Sequence, residues 1–554
     1  NYGTITTDAE TSATTSQGDT YTGLNPYQRI IFTTIDDDGN SASRYNRYFY
    51  FENYGSITLN GTSDILANFA TRGGNSTGGT IFRNDGTIYL NGQSSVGVML
   101  NPNVGDMMDS KVLLNSPLEL TGDKSVGFQL THTSFKLQNS IVNLNLGSIG
   151  NVTNSTGNMA GGQADKVEGA VGILVNALGN YTLRDYKINI GDHSLNNAGI
   201  RVDRGTLTLG TGGTNSSLNF SANSTQNAGV SITGGTSTVT TGGITINLDG
   251  ISNVGVQAEN NGTFNHTNGV INVNGDGSSG ITTLSNATTN MNGATAIINV
   301  GNKSTGVYND SIFNFTNGTI TASGDSAIAV YGADGNITTN LNGGGIKAEN
   351  GGIALYSGNN SKINLAGTSL TAGAGGLLFY NYNGGALTGK FVLDGNIQAR
   401  VDTGGIAFYY KASALTPAAL ANVGDLKASF LGKTNLGVTD FLRLNMGQGS
   451  SLIYLETPAG TVADISDLSS LPTDPLDLGS STWLSMIEDV PNTVKNYTIS
   501  DIDLTLDNTN DSNLDTGIYG QIQLLSSSVK VNSGVTVAGT KDNQIAIVQR
   551  NKPS

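Results

Sequence analysis

Residues Asn317–Tyr331 read NGTITASGDSAIAVY and residues Asn268–Leu284 read NGVINVNGDGSSGITTL, two copies of one pattern. Each copy opens with Asn-Gly and an alternating apolar segment, turns through glycine and polar residues, and ends in a short phrase built around a small central residue. Ten of the eleven steps between successive central positions span 23 to 30 residues, which is typical of a stacked solenoid. The central positions are Gly97, Gly127, Gly172, Gly199, Gly229, Gly255, Gly280, Gly306, Ala329, Ala354, Leu378 and Ala407.

The apolar alternation within each copy has a period of two, which indicates strands with one buried face. Glycine and asparagine between these strands are suited to turns that need a positive φ. We therefore predict an all-β fold, a parallel β-helix of about 14 coils over residues 53–410, roughly 65–70 Å long at the usual strand spacing. Right-handedness is expected from the crossover rule for parallel strands.

The repeat is interrupted between Lys411 and Leu525, where five of the nine prolines and the only tryptophan, Trp483, occur. Thr416-Pro417 and the apolar residues after it predict an N-capped helix, and Ser481–Val490 predicts a second. We interpret residues 411–525 as a small inserted α/β subdomain.

Both ends of the chain need a separate interpretation. Residues 1–52 are predicted to form an N-terminal region with a cap, because a solenoid must cover its first coil. The repeat resumes over residues 526–554 and stops without a capping sequence, so we expect the native protein to continue.

Residues Gly147–Ala164, rich in Gly, Asn and Ser, are predicted to form a protruding loop.

Composition narrows the function. The formal net charge is -15 without a basic cluster, which argues against a nucleic-acid partner. Cysteine is absent, which excludes disulfides, iron–sulfur clusters and thiolate chemistry, and suits a chain that is threaded unfolded through a pore. No apolar run approaches the ~20 residues of a membrane helix.

The repeated N-x-G-x-I-x-L-N-G-x-x-S-x-G-apolar pattern, free of cysteine and rich in asparagine, resembles the passenger regions of type V autotransporters. It is most similar to the very large fusobacterial outer-membrane adhesins. The resemblance implies a monomeric passenger outside a Gram-negative cell, held at the outer membrane only through a C-terminal barrel that this chain lacks. It further implies adhesion to a host-cell glycan or protein receptor, or to partner bacteria.

The first candidate site is a column of tyrosines that stand two residues after the central position in five consecutive coils. Because an apolar residue precedes each tyrosine, the apolar set should point inward and the tyrosines outward. Three interpretations stay open: a surface that binds sugars or a receptor, stacking that only stabilises the ladder, and burial beneath the inserted subdomain. The column consists of Tyr308, Tyr331, Tyr356, Tyr380 and Tyr409.

The second candidate is the Tyr- and Arg-rich segment Arg44–Tyr54, RYNRYFYFENY, whose composition is typical of binding hot spots and also fits an N-terminal cap. Trp483 is a third candidate. The residues taken from the segment as candidates are Arg44, Tyr45, Arg47, Tyr48 and Tyr50.

Catalysis and metal binding have little support in the sequence. Gly324-Asp325-Ser326-Ala327 resembles a nucleophile loop, but it occupies the same repeat position as Gly301–Ser304. The three histidines share no repeat position, so a catalytic triad is not indicated. The acidic clusters Asp36–Asp38 and Asp501–Asp515 lack the spacing of an EF-hand and are interpreted as solvated turns. We expect no enzyme activity, cofactor or metal.

The alternatives to an adhesin are a structural spacer of a larger surface protein and a secreted polysaccharide-cleaving enzyme.

Overall fold

The structure is a computed structural model that describes residues 1–7, 48–71, 79–102, 111–131, 141–147, 166–210, 216–335, 337–382, 390–394 and 396–411. It also describes isolated strand segments within 13–36 and 441–550. These residues form strands and turns, with no helix among them. The chain divides into two compact units, Asn1–Ile297 and Ile298–Ser554.

In the first unit, parallel strands form three ladders, named here A, B and C; ladder A contains the recurring phrase. Ladder A consists of Ile30–Asp36, Ile65–Thr71, Val96–Pro102, Val126–Leu130, Ala228–Ile232, Val254–Ala258, Ser279–Thr283 and the first parts of Val171–Leu183 and Ala198–Leu209. Ladder B consists of Tyr48–Asn53, Gly79–Asn84, Lys111–Leu114, Ser237–Thr241, the later parts of Val171–Leu183 and Ala198–Leu209, and the start of Thr263–Val273. Ladder C consists of Thr4–Thr7, Ser56–Leu59, Thr87–Leu90, Leu118–Leu120, Ile141–Leu146, Asp185–Ile190, Ser217–Phe220, Ile244–Leu248 and the end of Thr263–Val273.

The second unit repeats the arrangement. Its ladder A consists of Thr305–Asn309, Ile328–Gly332, Ile353–Ser357, Leu377–Tyr382, Ile406–Lys411, Ser451–Thr457, Thr482–Glu488, Ile522–Leu525 and Ile547–Arg550. Its ladder B consists of Ile312–Phe315, Thr338–Leu341, Lys362–Leu365 and Phe391–Leu393. Its ladder C consists of Thr319–Ser323, Gly345–Glu349, Ser369–Ala372, Asn396–Val401 and Phe441–Met446.

The remaining strands are short or lie outside these ladders. They are Val167–Glu168 with Ser194–Leu195, the antiparallel pair Ala13–Thr14 and Thr20–Tyr21, Ala463–Asp464 with Lys495–Ile499 and Ser527–Val531, and Leu504–Leu506 with Val537–Gly539. The long strand Thr288–Val300 belongs to the main sheet and pairs with Thr263–Val273. Each unit is thus a parallel β-solenoid, as the repeat predicts. Its handedness stays a prediction.

The core follows directly from the alternation of each strand. In Ile328–Gly332 the burial pattern places Ala329 and Val330 inside, and Tyr331 remains partly exposed. The central residue and the one after it are both buried, and the next coil approaches the central residue closely. A Cβ added to Gly255 would lie 2.5 Å from the carbonyl oxygen of Gly280, which explains glycine at this position.

The turn before ladder A is also a repeated feature. Lys303 and Ser326 both adopt a positive φ, 49° and 56°, and the N–H of Lys303 donates to the carbonyl of Asp325 in the next coil at 2.8 Å. Ser326 is therefore a turn residue of the solenoid, as its repeat position predicts.

Buried asparagines connect the turns of the first unit. The Oδ1 of Asn227 accepts the N–H of Asn197 at 2.9 Å, and its Nδ2 donates to the carbonyl of Ser194 at 3.2 Å. The N–H of Asn227 in turn donates to Oδ1 of Asn253 at 2.9 Å. These amides satisfy backbone groups that the turns would otherwise bury without partners.

The inserted α/β subdomain is not found in the part of the chain that the structure describes. Instead, Ser451–Thr457 pairs with Ile406–Lys411, and Thr482–Glu488 pairs with Ser451–Thr457, so ladder A continues. The helix predicted within Ser481–Val490 is wrong: Leu484 and Met486 alternate as in a strand and pair with Ile453 and Leu455. Lateral pairing outweighs the helix preference of these residues. The helix predicted after Thr416 and most of the loop predicted over residues 147–164 lie outside the described residues.

Candidate functional site

The five predicted tyrosines form one row on ladder A of the second unit, named here the tyrosine stripe. Adjacent members are partners in the strand register, from Tyr308 opposite Tyr331 to Tyr380 opposite Tyr409. All five side chains are partly exposed. The residues before them are fully buried, so the predicted inward and outward assignment is confirmed; they are Val307, Val330, Leu355, Phe379 and Phe408.

The rings of the stripe stack on one another. Their centroids are 5.2, 4.5, 5.2 and 5.2 Å apart along the row, with interplanar angles of 11°, 12°, 22° and 24°. These distances are those of favourable aromatic pairs. The stripe therefore stabilises the ladder, one of the three interpretations of the sequence.

Stacking decides which part of each ring is available to a ligand. The faces of Tyr331, Tyr356 and Tyr380 are occupied by the rings on either side, which leaves ring edges and hydroxyl groups for contact with a ligand. The hydroxyls of Tyr331 and Tyr356 are hydrogen-bonding partners of one another. The row is thus a series of phenol hydroxyls repeated once per coil.

Burial and nearby carboxylates both raise the pKa of phenols in the stripe. Burial raises the pKa of Tyr308, and the carboxylates of Asp310 and Asp334 raise it further. Burial and Asp334 likewise raise the pKa of Tyr331. Lys390 also lies near Asp334; burial lowers its pKa, an effect that Asp334 opposes.

Sequence reasoning missed Tyr454. It lies in Ser451–Thr457, where the register places it opposite Tyr409, as the next position of the stripe. Its repeat position was hidden because Leu452 follows the previous central residue, Ala407, by 45 residues, well outside the usual step. The apolar–Tyr pair Ile453-Tyr454 is the signal that could have found it.

The second candidate site is described only in part. Arg44, Tyr45 and Arg47 lie outside the described residues, and Tyr48 and Tyr50 lie on the strand Tyr48–Asn53, with Tyr50 60% exposed. Trp483 lies on Thr482–Glu488.

The last residue of this segment, Tyr54, contacts the first residues of the chain. The ring of Tyr54 stacks on Tyr2 at 4.9 Å, and the guanidinium of Arg83 lies 5.5 Å from the same ring. Thr4–Thr7 pairs in parallel with Ser56–Leu59 as a strand of ladder C.

Ladder A of the first unit has a different outward surface. The position equivalent to the tyrosines holds Arg201, Ser231 and Gln257, which line a polar cleft of about 380 Å³. The Nε of Arg201 donates to Oδ1 of Asp203 at 2.8 Å, so its charge is already paired.

The remaining groups that could bind a metal or take part in catalysis are the histidines and carboxylates of the described part of the chain. No three His, Asp or Glu side chains there lie close enough to hold a metal ion. His266 is fully buried, with Nδ1 2.9 Å from the hydroxyl of Thr241. No helix of that part is long and apolar enough to cross a membrane.

Comparisons with protein-family models, with curated proteins and with solved structures found no match to this chain.

Proposed function

We propose that this chain is the passenger of an extracellular bacterial adhesin, displayed at the outer membrane, which uses the tyrosine stripe to bind a ligand on a host cell or a partner bacterium. The observation that carries the proposal is the stripe itself: five stacked, partly exposed tyrosines in register. Tyrosine is enriched at binding hot spots because it combines a large contact area with a polar group at low entropic cost.

The repeat also suits an adhesin. Equivalent side chains recur once per coil, so several weak contacts to one ligand surface can form together, and many copies on a cell multiply their effect. Binding rather than catalysis is proposed because Ser326 is a turn residue and His266 is enclosed in the core.

The experiment compares binding of the purified chain to epithelial cells and to other bacteria with that of a variant in which all five stripe tyrosines are threonine. Threonine preserves strand propensity and occurs at the equivalent position as Thr282. The control changes Asn314, Asn340 and Asn364 to threonine; these form an outward amide row on ladder B of the same unit. We expect the stripe variant to lose most of its binding and the control to keep it. Equal binding by folded stripe and control variants would refute the proposal.

A structural spacer is the second candidate. It is favoured by the stacking itself, because ring–ring contacts stabilise the ladder without any ligand. A spacer predicts no cell binding by any variant, together with a lower melting temperature for the stripe variant.

A further inference from the structure

We propose that the tyrosine stripe binds a single extended, uncharged glycan chain that lies along the row and is held by the phenol hydroxyls and the adjacent carboxylates. This inference rests on the proposed function and specifies its ligand.

Recognition of a sugar depends on which part of each stripe tyrosine is free to contact it. Stacking of a sugar ring on an aromatic side chain needs a free aromatic face, and the neighbouring rings cover both faces of Tyr331, Tyr356 and Tyr380. The groups that stacking leaves for a ligand are ring edges and hydroxyls. Recognition along the stripe must therefore proceed by hydrogen bonds, for which a phenol is both donor and acceptor.

The second step concerns the repeat. Neighbouring ring centroids are 4.5 to 5.2 Å apart, because each tyrosine comes from the next strand of the ladder. A linear glycan with β-1,4 linkages advances by close to one such spacing per sugar, so each sugar meets one tyrosine, with successive sugars in alternating orientation. An extended peptide advances ~3.3 Å per residue and loses this match after one residue.

The third step concerns charge. Asp310 and Asp334 lie near Tyr308 and, after burial, raise the pKa of its phenol, which an ordinary tyrosine already keeps protonated at neutral pH. The carboxylates themselves accept hydrogen bonds from sugar hydroxyls. They also repel anionic polymers, as does the net charge of -15 on the whole chain. The surface therefore favours a neutral glycan over an acidic one.

The test measures binding of cello- and chito-oligosaccharides of increasing length to the full chain by calorimetry, beside oligogalacturonates as acidic chains. We expect affinity for the neutral chains to rise with each added sugar until the stripe is spanned, and the acidic chains to bind much more weakly. The decisive variant changes Tyr331, Tyr356 and Tyr380 to phenylalanine, which keeps the stacking and removes the hydroxyls. We expect its affinity to fall about tenfold or more, because several hydrogen bonds are lost at once.

Two controls complete the design. Tyr89→Phe removes a partly exposed phenol of ladder C, outside both candidate sites, and should leave affinity unchanged. Thermal unfolding checks that the triple variant folds, and the single change Tyr356→Phe replaces it if it does not. The inference is overturned if no neutral chain binds, if affinity does not depend on length, or if the phenylalanine variant binds like the wild type. One further result separates the two proposals. If the calorimetry overturns the glycan assignment but the five-threonine variant still loses cell binding, the adhesin proposal stands.

Discussion

At the scale of single residues, His266 gives the solenoid a measurable dependence on pH. It is fully buried beside Phe264, with ring centroids 6.0 Å apart, and burial lowers its pKa to about 4 from an ordinary 6.5. Between pH 6.5 and 4 the unfolded chain therefore binds a proton that the folded chain does not. Stability should fall across this window by about 1.4 kcal/mol per pH unit, about 3 kcal/mol in all, from this residue alone.

The variant His266→Met isolates this effect from the many carboxylates that also titrate. Methionine is the residue found at the equivalent position of the next coil, Met291, and it does not titrate. We expect urea unfolding of the wild type and the variant to diverge as pH falls from 6.5 to 4, with the wild type losing more stability. If the unfolding free energies of the two proteins fall in parallel with pH, His266 takes up its proton as readily in the folded chain as in the unfolded chain.

Sequence reasoning at this scale identified apolar inward residues better than polar ones. The inward set was predictable because its alternation needs only the period of a strand. The buried role of Asn227 was not, since asparagine also suits exposed turns and only the neighbouring coil shows which backbone groups it satisfies. The same holds for the outward amide row of Asn189, Asn219 and Asn247, whose side chains hydrogen-bond from coil to coil.

At the scale of the strand, a charge placed on the inner face should disrupt several coils. Leu355 is fully buried and pairs with Val330 on one side and Phe379 on the other. Leu355→Asp places an unpaired carboxylate in this core, and we expect a loss of about 4 kcal/mol or more, seen as a large fall in melting temperature by circular dichroism. Thr338→Asp, an exposed change on ladder B, serves as the control and should leave melting nearly unchanged. Similar melting of the two variants would contradict the inward position of Leu355.

The strands of ladder A beyond Lys411 show where prediction from sequence failed. Spacings mostly of 23 to 30 residues between central positions made the repeat visible up to Ala407. The next central position, Leu452, follows Ala407 by 45 residues, so the repeat was not recognised there. Within this interval Ser481–Val490 was then predicted to be a helix by local rules. Pairing with Ser451–Thr457, a contact distant in sequence, produces a strand instead. The tyrosine stripe was predictable as a row, and stacking was one of its three interpretations, but the sequence could not decide between stacked rings and free aromatic faces.

At the scale of the whole molecule, the absence of cysteine from all 554 residues can be tested as a requirement of export. If the chain is threaded unfolded through a pore, as we propose for a surface passenger, a crosslink formed beforehand should stop it. Thr338 and Lys362 are exposed partners on adjacent parallel strands, ~4.8 Å apart, a separation that a disulfide can bridge.

The double variant Thr338→Cys/Lys362→Cys, produced in the cells that make the protein, should reach the surface several-fold less than either single variant. A reductant in the medium should restore its display, because the crosslink and not the substitutions causes the block. Surface labelling with an antibody measures the amount displayed, and non-reducing electrophoresis shows whether the crosslink formed inside the cell. Full display of a crosslinked double variant would mean that the chain is exported folded or through a wide pore. The lack of cysteine would then need another cause, and the surface-passenger proposal would lose the support that it draws from composition.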